Sequence, residues 1–554
     1  MKTRNSMIVL LVLVTLAGSC FAEAYTPPPP VPDDRAPIPK PEYEGAKDDF
    51  AEGINYEFIY SLKNTLNISR QIRLLTDTPK QALNVNAFGE VDDNSWFTNR
   101  NARHPMSLDE ISRGACSGDG PDTEHTWIIK RAKAEGVTPG FHIKDARGDR
   151  YVIKFDPIGY GGLNSGADAC GAKFFYAAGY NTPENYIVYF DPAILQLDPD
   201  GVSFTDSDGR KRHMTEEDLD AVLERVNILP DGRIQCLASK YIQGDLLGPF
   251  SFKGTREDDP NDFIPHHHRR ELRGQKAFAV WVNHYDAKGA NSMDAYVGED
   301  GEGHVVHYMM DFGTVLGSGG RGPYPLFRGY EDEIPTGPLM RKIVTIGLDV
   351  RDYEKPDSVL YPSVGRLRNA SLNPDKYRTV FPNPAYDNAT DLDMYWGTKL
   401  VTSFTDEQIR AIIETGPYPA GGVDHLVNVL SERRDIIGRT YFGRVNCLDR
   451  FEMVDRDVLA FDDLWVEMGY GEADEVVYNY ELQNEDGEVL SSGEFAGTEL
   501  ELPLIPDKLG DHRQVRVELR LKRSDEKKFG RYVQVWLEDD LAGGYRLLGV
   551  EREE

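Results

Sequence analysis

The chain has 554 residues, with 62 Lys and Arg against 92 Asp and Glu and a formal net charge of -30 at pH 7. Such a polyanion excludes a general nucleic-acid role or an acidic membrane surface as partner and favours basic ligands, while the length points to about three domains. No C-x-x-C pair is present to supply a zinc site, and Cys116, Cys170, Cys236 and Cys447 are spaced too widely to set a disulfide framework, with Cys170 and Cys236 reading as small buried residues.

Residues 1–24 carry Lys2 and Arg4, an apolar run from Met7 to Leu16 and then small residues, the pattern of an export signal. The apolar run is too short to span a bilayer comfortably. Ala17-Gly18-Ser19-Cys20 approximates a lipoprotein cleavage box with a lipid anchor at Cys20, and ordinary cleavage after Ala22 or Ala24 is the competing reading. The expected location is therefore periplasmic or at the cell surface, as an exported protein. Residues 25–45, with Pro27 to Pro30 and further prolines, read as an extended tether. Residues 46–126 mix polar strands and turns. Trp96 and Phe97 need a core to enter, so this stretch is expected to pack as an extension on the lobe that begins at residue 127.

From Gly140 to Asp156 two strand-forming runs flank an Asp-Ala-Arg-Gly-Asp turn, which predicts a hairpin. Its second strand alternates Tyr151, Ile153 and Phe155 against Val152, Lys154 and Asp156, placing Lys154 on the face opposite Ile153. There it can reach the phosphates of a nucleotide beneath the hairpin; taken alone, Val-Ile-Lys reads rather as a solvated lysine on an edge strand. Residues 165–179 predict a helix ending on Gly179, with Asp168 either in its first turn or facing Lys154. Residues 234–250 give an apolar strand that breaks at Gly244 and Gly248-Pro249. Backbone groups near Ser239 to Gln243, among them Lys240, Tyr241 and Ile242, are candidates for an adenine edge.

A helix is predicted from near Arg269 through Trp281. His284-Tyr285-Asp286-Ala287-Lys288-Gly289-Ala290-Asn291 comes next, and Asp311-Phe312-Gly313 lies across one hairpin. An Asp, an Asn five positions on and a second Asp beyond a strand form the arrangement that phosphoryl transfer from Mg-ATP requires. Magnesium takes hard oxygen ligands, which the carboxylate of Asp311 and the amide of Asn291 supply, leaving Asp286 to orient or deprotonate an acceptor hydroxyl. His266-His267-His268 cannot converge on one metal and reads as solvated or as a helix start, and Glu257-Asp258-Asp259 with Asp262 lacks calcium-loop spacing and reads as a capping, solvated loop. Thr405-Asp406-Glu407-Gln408 is a capping box opening a helix to Glu414, and Asp424 to Ile437 predicts another. From about Asp455, runs of period two at 476–482, 515–521 and 532–537 suggest a β-sandwich.

Taken together, the hairpin, Val-Ile-Lys, the acidic helix, Gly-Pro-Phe at 248–250, Asn-His-Tyr-Asp-x-x-x-x-Asn and Asp-Phe-Gly resemble the atypical kinases of the HipA-like and phosphoinositide-kinase-like group. Ser-Trp-Phe-Thr-Asn-Arg at 95–100, Asp-Asp-Pro-Asn-Asp at 258–262 and Arg-Arg-Glu-Leu-Arg-Gly at 269–274 narrow the resemblance to uncharacterised secreted bacterial proteins of that kind. The resemblance implies an α+β, two-lobed protein-kinase-like fold with an N-terminal extension, a small lobe at 127–243, a helical large lobe at 244–454 and a C-terminal β-sandwich at 455–554. It also implies ATP and Mg2+ as cofactors, catalytic Asp286, Lys154 on the phosphates held by Asp168, and metal binding by Asn291 and Asp311. The chain departs from protein kinases in lacking a G-x-G-x-x-G loop, in Tyr285 where arginine is usual and in having no Ala-Pro-Glu. The acceptor is open, protein or small molecule. A catalytically idle scaffold at the cell surface and a metal-assisted hydrolase or nucleotidyl transferase at the same residues are the other readings. Export and ATP use pull against each other, since extracytoplasmic compartments hold little ATP.

Overall fold

The structure is a computed structural model and describes residues 24–45, 53–76, 78–133, 138–205, 210–325, 327–332, 336–355, 358–505, 509, 511, 513–524, 526–541 and 543–553. The expected export signal and Cys20 lie outside the described residues. The fold is mixed α+β with several sheets. It divides into two units: residues 31–85 with 91–441, and residues 24–30 with 86–90 and 442–553. No helix among the described residues is long and apolar enough to cross a membrane.

The larger unit is built on a sheet of β1 (Trp127–Ala132), β2 (Gly140–Lys144), β3 (Arg150–Phe155), β4 (Asn185–Phe190), β5 (Leu195–Leu197), β6 (Ser203–Thr205), β7 (Lys211–His213) and β8 (Ile234–Lys240). The order is β4-β8-β3-β2-β1-β6-β7, with β5 pairing to β1. The expected hairpin is β2–β3, in antiparallel register with Gly140 opposite Lys154. Its turn closes because the Asp145 carboxylate accepts the N–H groups of Arg147 (3.1 Å) and Asp149 (2.9 Å), the usual device of an Asx turn. Tyr151, Ile153 and Phe155 enter the sheet's core with Trp127, Phe141 and Phe190, so Lys154 is turned to the other face.

On that face lies α1 (Leu163–Ala178). Asp156, the last residue of the expected strand run, accepts the N–H groups of Gly162 (2.9 Å), Asn164 (2.7 Å) and Ser165 (2.9 Å), satisfying donors that a helix start leaves open. A second sheet holds β9 (Asp245–Gly248), β10 (Ser292–Val297) and β11 (His304–Met309), in the order β11-β10-β9. The helical part includes α2 (Arg270–Val282), α3 (Asp391–Thr402), α4 (Asp406–Ile413) and α5 (Ala420–Phe442). The capping box opening α4 is made in full. Where α2 and α3 cross, a Cβ at Gly397 would fall on the Gly274 backbone, so the approach depends on glycine. Two of the charged residues buried in α2 are matched, Arg270 and Arg273 meeting Asp393 at 3.1 and 3.2 Å.

Several expectations meet a different packing. The run after the first prolines is seated rather than free: Ile38 is buried with Leu247, Tyr296 and Val305, its carbonyl accepts from the Tyr296 hydroxyl (2.8 Å), and Asp34 accepts from the Ser95 N–H (2.9 Å) and hydroxyl (2.7 Å). Trp96 and Phe97 are buried as required, but in the core around α1 and α2 and not in that of the β1–β8 sheet. The sheet's own core is already filled from the segment 214–226 by Met214, Leu219 and Val226. Trp96 instead stacks on His307, ring centroids 3.6 Å apart, and Phe97 meets Trp396 at 5.3 Å.

His266 and Asp262 are not solvated; they are buried, 2.6 Å apart, with the Arg269 guanidinium 3.4 Å from the other Asp262 oxygen. Asp259 is buried as well. The four described cysteines are free thiols, Cys116 being partly buried and the others fully.

In the smaller unit, β12 (Leu448–Asp455), β13 (Val458–Asp463) and β16 (Glu499–Glu501) form a three-stranded sheet. β14 (Val476–Asn484), β15 (Val489–Phe495), β17 (Gln514–Arg523), β18 (Tyr532–Asp539) and β19 (Tyr545–Arg552) form a five-stranded sheet in the order β15-β14-β17-β18-β19. The β structure begins at Leu448, before the expected 455, because a buried Asp449 and an irregular step at Arg450, with φ of 51°, break the alternation at the start of the first strand. Tyr25 of the proline-rich run stacks on Trp536 at 5.2 Å.

Candidate active site

The Lys154 ammonium, on the non-core face of β3, donates to Asp168 at 2.9 Å and to Asp311 at 3.0 Å. Asp168 comes from the second turn of α1. α1 lies close to Asp-Phe-Gly there: a Cβ at Gly171 would meet the Phe312 Cβ at 2.6 Å. The second Asp168 oxygen accepts the Phe312 N–H (3.0 Å) and the Asn185 amide (3.0 Å), so three donors converge on one carboxylate. Asn164 fixes the same turn from the start of α1, its amide donating to the Gly313 carbonyl at 3.1 Å.

Asp311 and Asn291 are brought together by strand register. β10 and β11 pair with Ser292 opposite Met309, and one step outward the Met310 N–H donates to the Asn291 carbonyl at 3.1 Å. The residues just before β10 and just after β11 therefore sit side by side. Asp311 takes a left-handed φ of 60° as the chain leaves the strand, a conformation aspartate tolerates better than most residues. The Asn291 amide donates to the carbonyl (2.8 Å) and carboxylate (3.0 Å) of Asp286, which points its own oxygen away from Asp286. Lys288 lies 3.3 Å from the other Asp286 oxygen. Behind them His284 packs against Phe175 and Phe312, at 5.5 and 5.7 Å between ring centroids. Burial pushes its pKa down to about 4, so the ring is neutral at physiological pH.

The electrostatics divide the acids. Lys154 holds the Asp311 carboxyl down to about 2, against the partial burial that opposes it. Burial raises Asp168, and the charge of Lys154 pulls the other way. Burial also raises Asp286, with Lys288 and the Asn291 amide opposing and Asp311 adding to the rise. For Lys154, burial alone would favour the neutral amine, but Asp168 and Asp311 outweigh it and the ammonium is held more firmly than usual.

Five of the expected residues, Lys154, Asp168, Asp286, Asn291 and Asp311, are thus joined by hydrogen bonds or by mutual electrostatic influence. Lys240, Tyr241 and Ile242 are not drawn into that group. The Lys240 N–H donates to the Glu184 carbonyl (2.9 Å) and the Tyr241 N–H to the Arg150 carbonyl (3.0 Å), because β8 runs between β4 and β3. Neither N–H is left for an adenine edge, which in this run would have to meet Ile242 or Gln243. The Tyr241 hydroxyl pairs with His142 Nδ1 at 2.6 Å, and the Lys240 ammonium lies 3.5 Å from Asp149. Sequence reasoning passed over Lys288, although its place two residues after Asp286 was a signal, and over Asn164, Asn185 and Asp156, which no motif marks.

No protein-family model matches the chain, and no curated protein matches it. Among solved structures, the chain is similar to the Helicobacter pylori proinflammatory kinase CtkA at 13% identity and a TM-score of 0.28, over 57% of this chain and 98% of that one. It is also similar to the Golgi casein kinase, at 8% identity and a TM-score of 0.29 over 74% of this chain and 95% of that one. The Golgi casein kinase with Mn/ADP bound gives 10% identity and a TM-score of 0.24, over 67% and 95%.

Proposed function

We propose that this chain is a phosphotransferase of protein-kinase-like, two-lobed architecture that uses Mg-ATP. The β1–β8 sheet with α1 serves as its small lobe, α2–α5 as its large lobe and the C-terminal sheets as an appended β-sandwich. The observation that carries the reading is the Lys154 ammonium shared by Asp168 at 2.9 Å and Asp311 at 3.0 Å, with Asp311 in register beside Asn291 and Asp286. A strand lysine paired with an acid of the following helix, an Asp-Phe-Gly aspartate and a catalytic Asp with an Asn five positions on are the working parts of a kinase site.

In this reading Lys154 grips donor phosphates and Asp168 holds its ammonium in place. Asp286 accepts the proton of an acceptor hydroxyl, its burial making it a stronger base than a solvated aspartate. Lys288, beside it, balances the charge gathering on the transferred group.

Among the described residues no group of three or more His, Cys, Asp or Glu is placed to hold a metal by itself. That is consistent with magnesium, which takes one or two protein oxygens and completes its shell with phosphates and water. Asp311, half-exposed, and the amide oxygen of Asn291 fit that need and would hold it. Bound there, the metal would supply neutralisation of the polyphosphate charge. Export, with the donor supplied outside the cytoplasm, belongs to the same proposal.

Isothermal titration of the purified chain with Mg-ATP tests the reading. Binding is expected, with phosphate transfer to an acceptor that Asp286→Ala abolishes. Silent heats with ATP, GTP and ADP would overturn it. Mass spectrometry of the product separates an added phosphate from an added nucleoside monophosphate, and binding without transfer in either form would instead mark an idle scaffold.

A further inference from the structure

The larger unit turns two apolar segments outward. The helical run Asn55–Tyr60 continues through Ser61–Leu66 and Ile68–Thr76, and Thr336–Val344 is a separate helix. On Ile68–Thr76, Ile68, Ile72 and Leu75 recur at steps of four and three, the spacing of one helix face. That face is the exposed one, with Ile68 at 74% and Leu75 at 86%. The side carrying Arg70, Gln71 and Arg73 is the partly covered one, and the Gln71 amide donates to the Asn64 carbonyl at 3.1 Å. A helix on a globular body ordinarily does the reverse, burying its apolar stripe and leaving its polar side in water. Leu62 and Leu66, in the turns before, are exposed as well.

The second segment repeats the inversion. Met340, Ile343 and Val344 are exposed, while the Arg341 side chain is mostly covered and meets Asp349 at 3.3 Å. Beyond the helix, Ile346 and Leu348 are each 87% exposed, and Ile346 keeps a left-handed φ of 52° that a β-branched residue seldom adopts. The two segments start from neighbouring places: burial raises the Glu57 carboxyl on the first, and the charge of Asp332, just before the second, adds to that rise. Single apolar side chains on a surface are ordinary, but stripes of them on adjoining segments mark a face that something covers.

Charge and composition indicate what covers it. The chain-wide charge of -30, which speaks against an acidic membrane surface, is not the charge of this face: from Phe58 to Thr76 stand Lys63, Arg70 and Arg73 and no acid. On the second segment Arg341 and Lys342 are balanced by Asp349 and Glu354, so it adds no net negative charge. A second copy docked face to face would bring cation against cation. A specific protein interface is anchored by Trp, Tyr and Arg, whereas the exposed side chains here are Leu, Ile, Val and Met with Phe58. Aliphatic stripes flanked by cations are the composition of helices that lie in a membrane interface. We propose that these two segments together form a surface that lies on an anionic phospholipid bilayer, the aliphatic side chains entering the acyl boundary and Lys63, Arg70 and Arg73 reaching the headgroup phosphates. No described helix crosses a membrane, so the contact is along the surface. The inference is independent of the phosphotransferase reading.

The test uses the full chain with Cys20→Ser and Cys116→Ser, which removes any acyl anchor and leaves one exposed thiol once Leu75→Cys or Leu348→Cys is added. An environment-sensitive dye on that thiol is titrated with vesicles of phosphatidylcholine containing about a third phosphatidylglycerol, and with phosphatidylcholine alone. The dye reports only its own surroundings, so attachment through residues 7–16 does not produce the signal. With the mixed vesicles both positions should gain emission and shift to the blue, whereas a dye at Asp231→Cys, on an exposed turn, should not. Three cations near an anionic surface should make binding at least about tenfold weaker on phosphatidylcholine alone. Ile72→Glu, at an exposed side chain that the fold does not need, should weaken the response at Leu75→Cys at least about tenfold. No dye response with either vesicle, equal affinity for the two, or an affinity unchanged by Ile72→Glu would overturn the proposal. A dimer in sedimentation that Ile72→Glu dissociates, in a chain whose dye ignores vesicles, would assign the face to a second copy instead.

Discussion

Replacing Lys154 by Met removes one ammonium and strands two carboxylates, but unequally. The Asp168 side chain is 2% exposed and that of Asp311 is 46% exposed. Water takes over at Asp311, where an exposed ion pair is worth about 0.2–1 kcal/mol. At Asp168 it cannot, and breaking a buried pair from one side costs about 3–5 kcal/mol. The lower end applies, because the Phe312 N–H and the Asn185 amide still donate to Asp168 at 3.0 Å.

The penalty has a pH signature. Without its cation, Asp168 has a folded pKa well above its unfolded value, so folding favours its protonated form. The loss is small below the unfolded pKa, grows as pH rises and reaches its full size once pH has passed the folded pKa. Urea unfolding at about pH 5.5 and about pH 8 should therefore show Lys154→Met losing more stability at the higher pH, to about 3 kcal/mol. Adding Asp168→Asn removes the stranded charge, and the double variant should regain at least about 1 kcal/mol over Lys154→Met at the higher pH and lose the pH dependence. A double variant no more stable than Lys154→Met would refute Lys154 as the counter-ion of Asp168.

Other consequences are equally open to measurement. Asp286→Asn should lower the transfer rate by about a hundredfold to ten-thousandfold while changing Mg-ATP affinity little, read by a transfer assay and titration on one preparation. Because burial raises Asp286 and its ionised form is the proposed base, the acid limb of the rate profile should lie above the ordinary aspartate range, with activity rising as pH rises through it. Chelation by EDTA should abolish transfer, and Asp311→Asn should raise the metal concentration needed for half activity with little change in stability, given the exposure of Asp311. Trp96→Ala should destabilise the larger unit by about 3–5 kcal/mol in urea, because the indole is 2% exposed and stacked 3.6 Å from His307; a loss under about 1 kcal/mol would show the contact to be passive.

The residues with chemistry were legible where local periodicity or spacing constrains them. Period-two alternation in β3 put Lys154 opposite Ile153, and a hairpin between Asn291 and Asp311 joins them whatever lies elsewhere. The destination of the 46–126 segment was not legible, because Trp96 and Phe97 announce that they must be buried without saying where. His266 and Asp262 looked solvated for a related reason: polar clusters are usually exposed, and their burial is made tolerable by Arg269, by the Arg256 N–H that donates to Asp262 at 2.6 Å and by the Ser251 carbonyl beside His266. The candidate adenine edge at 239–243 was half legible. Its strand was evident, but which N–H groups remain for a ligand depends on β8 being flanked on both sides, a fact of topology.

In the proposed phosphotransfer a donor polyphosphate must take Lys154 from one of its two acids, and the geometry ranks them. Asp168 is fixed by a backbone N–H and an amide besides Lys154, is buried, and belongs to a helix whose first turn is tied down by Asp156. Asp311 meets Lys154 through one oxygen, is half open to solvent and stands at a left-handed residue just past a strand end. Releasing Asp311 costs little because water replaces what is lost, whereas releasing Asp168 leaves a dry charge behind. The pair that yields is therefore Lys154–Asp311, and its opening presents a lysine to the phosphates and a carboxylate to a cation in one movement. Asp311→Asn should then leave the affinity for metal-free ATP unchanged or tighter, since the ammonium no longer has to be freed, while weakening Mg-ATP. Equal weakening of both forms would show that Asp311 helps only to shape the cleft.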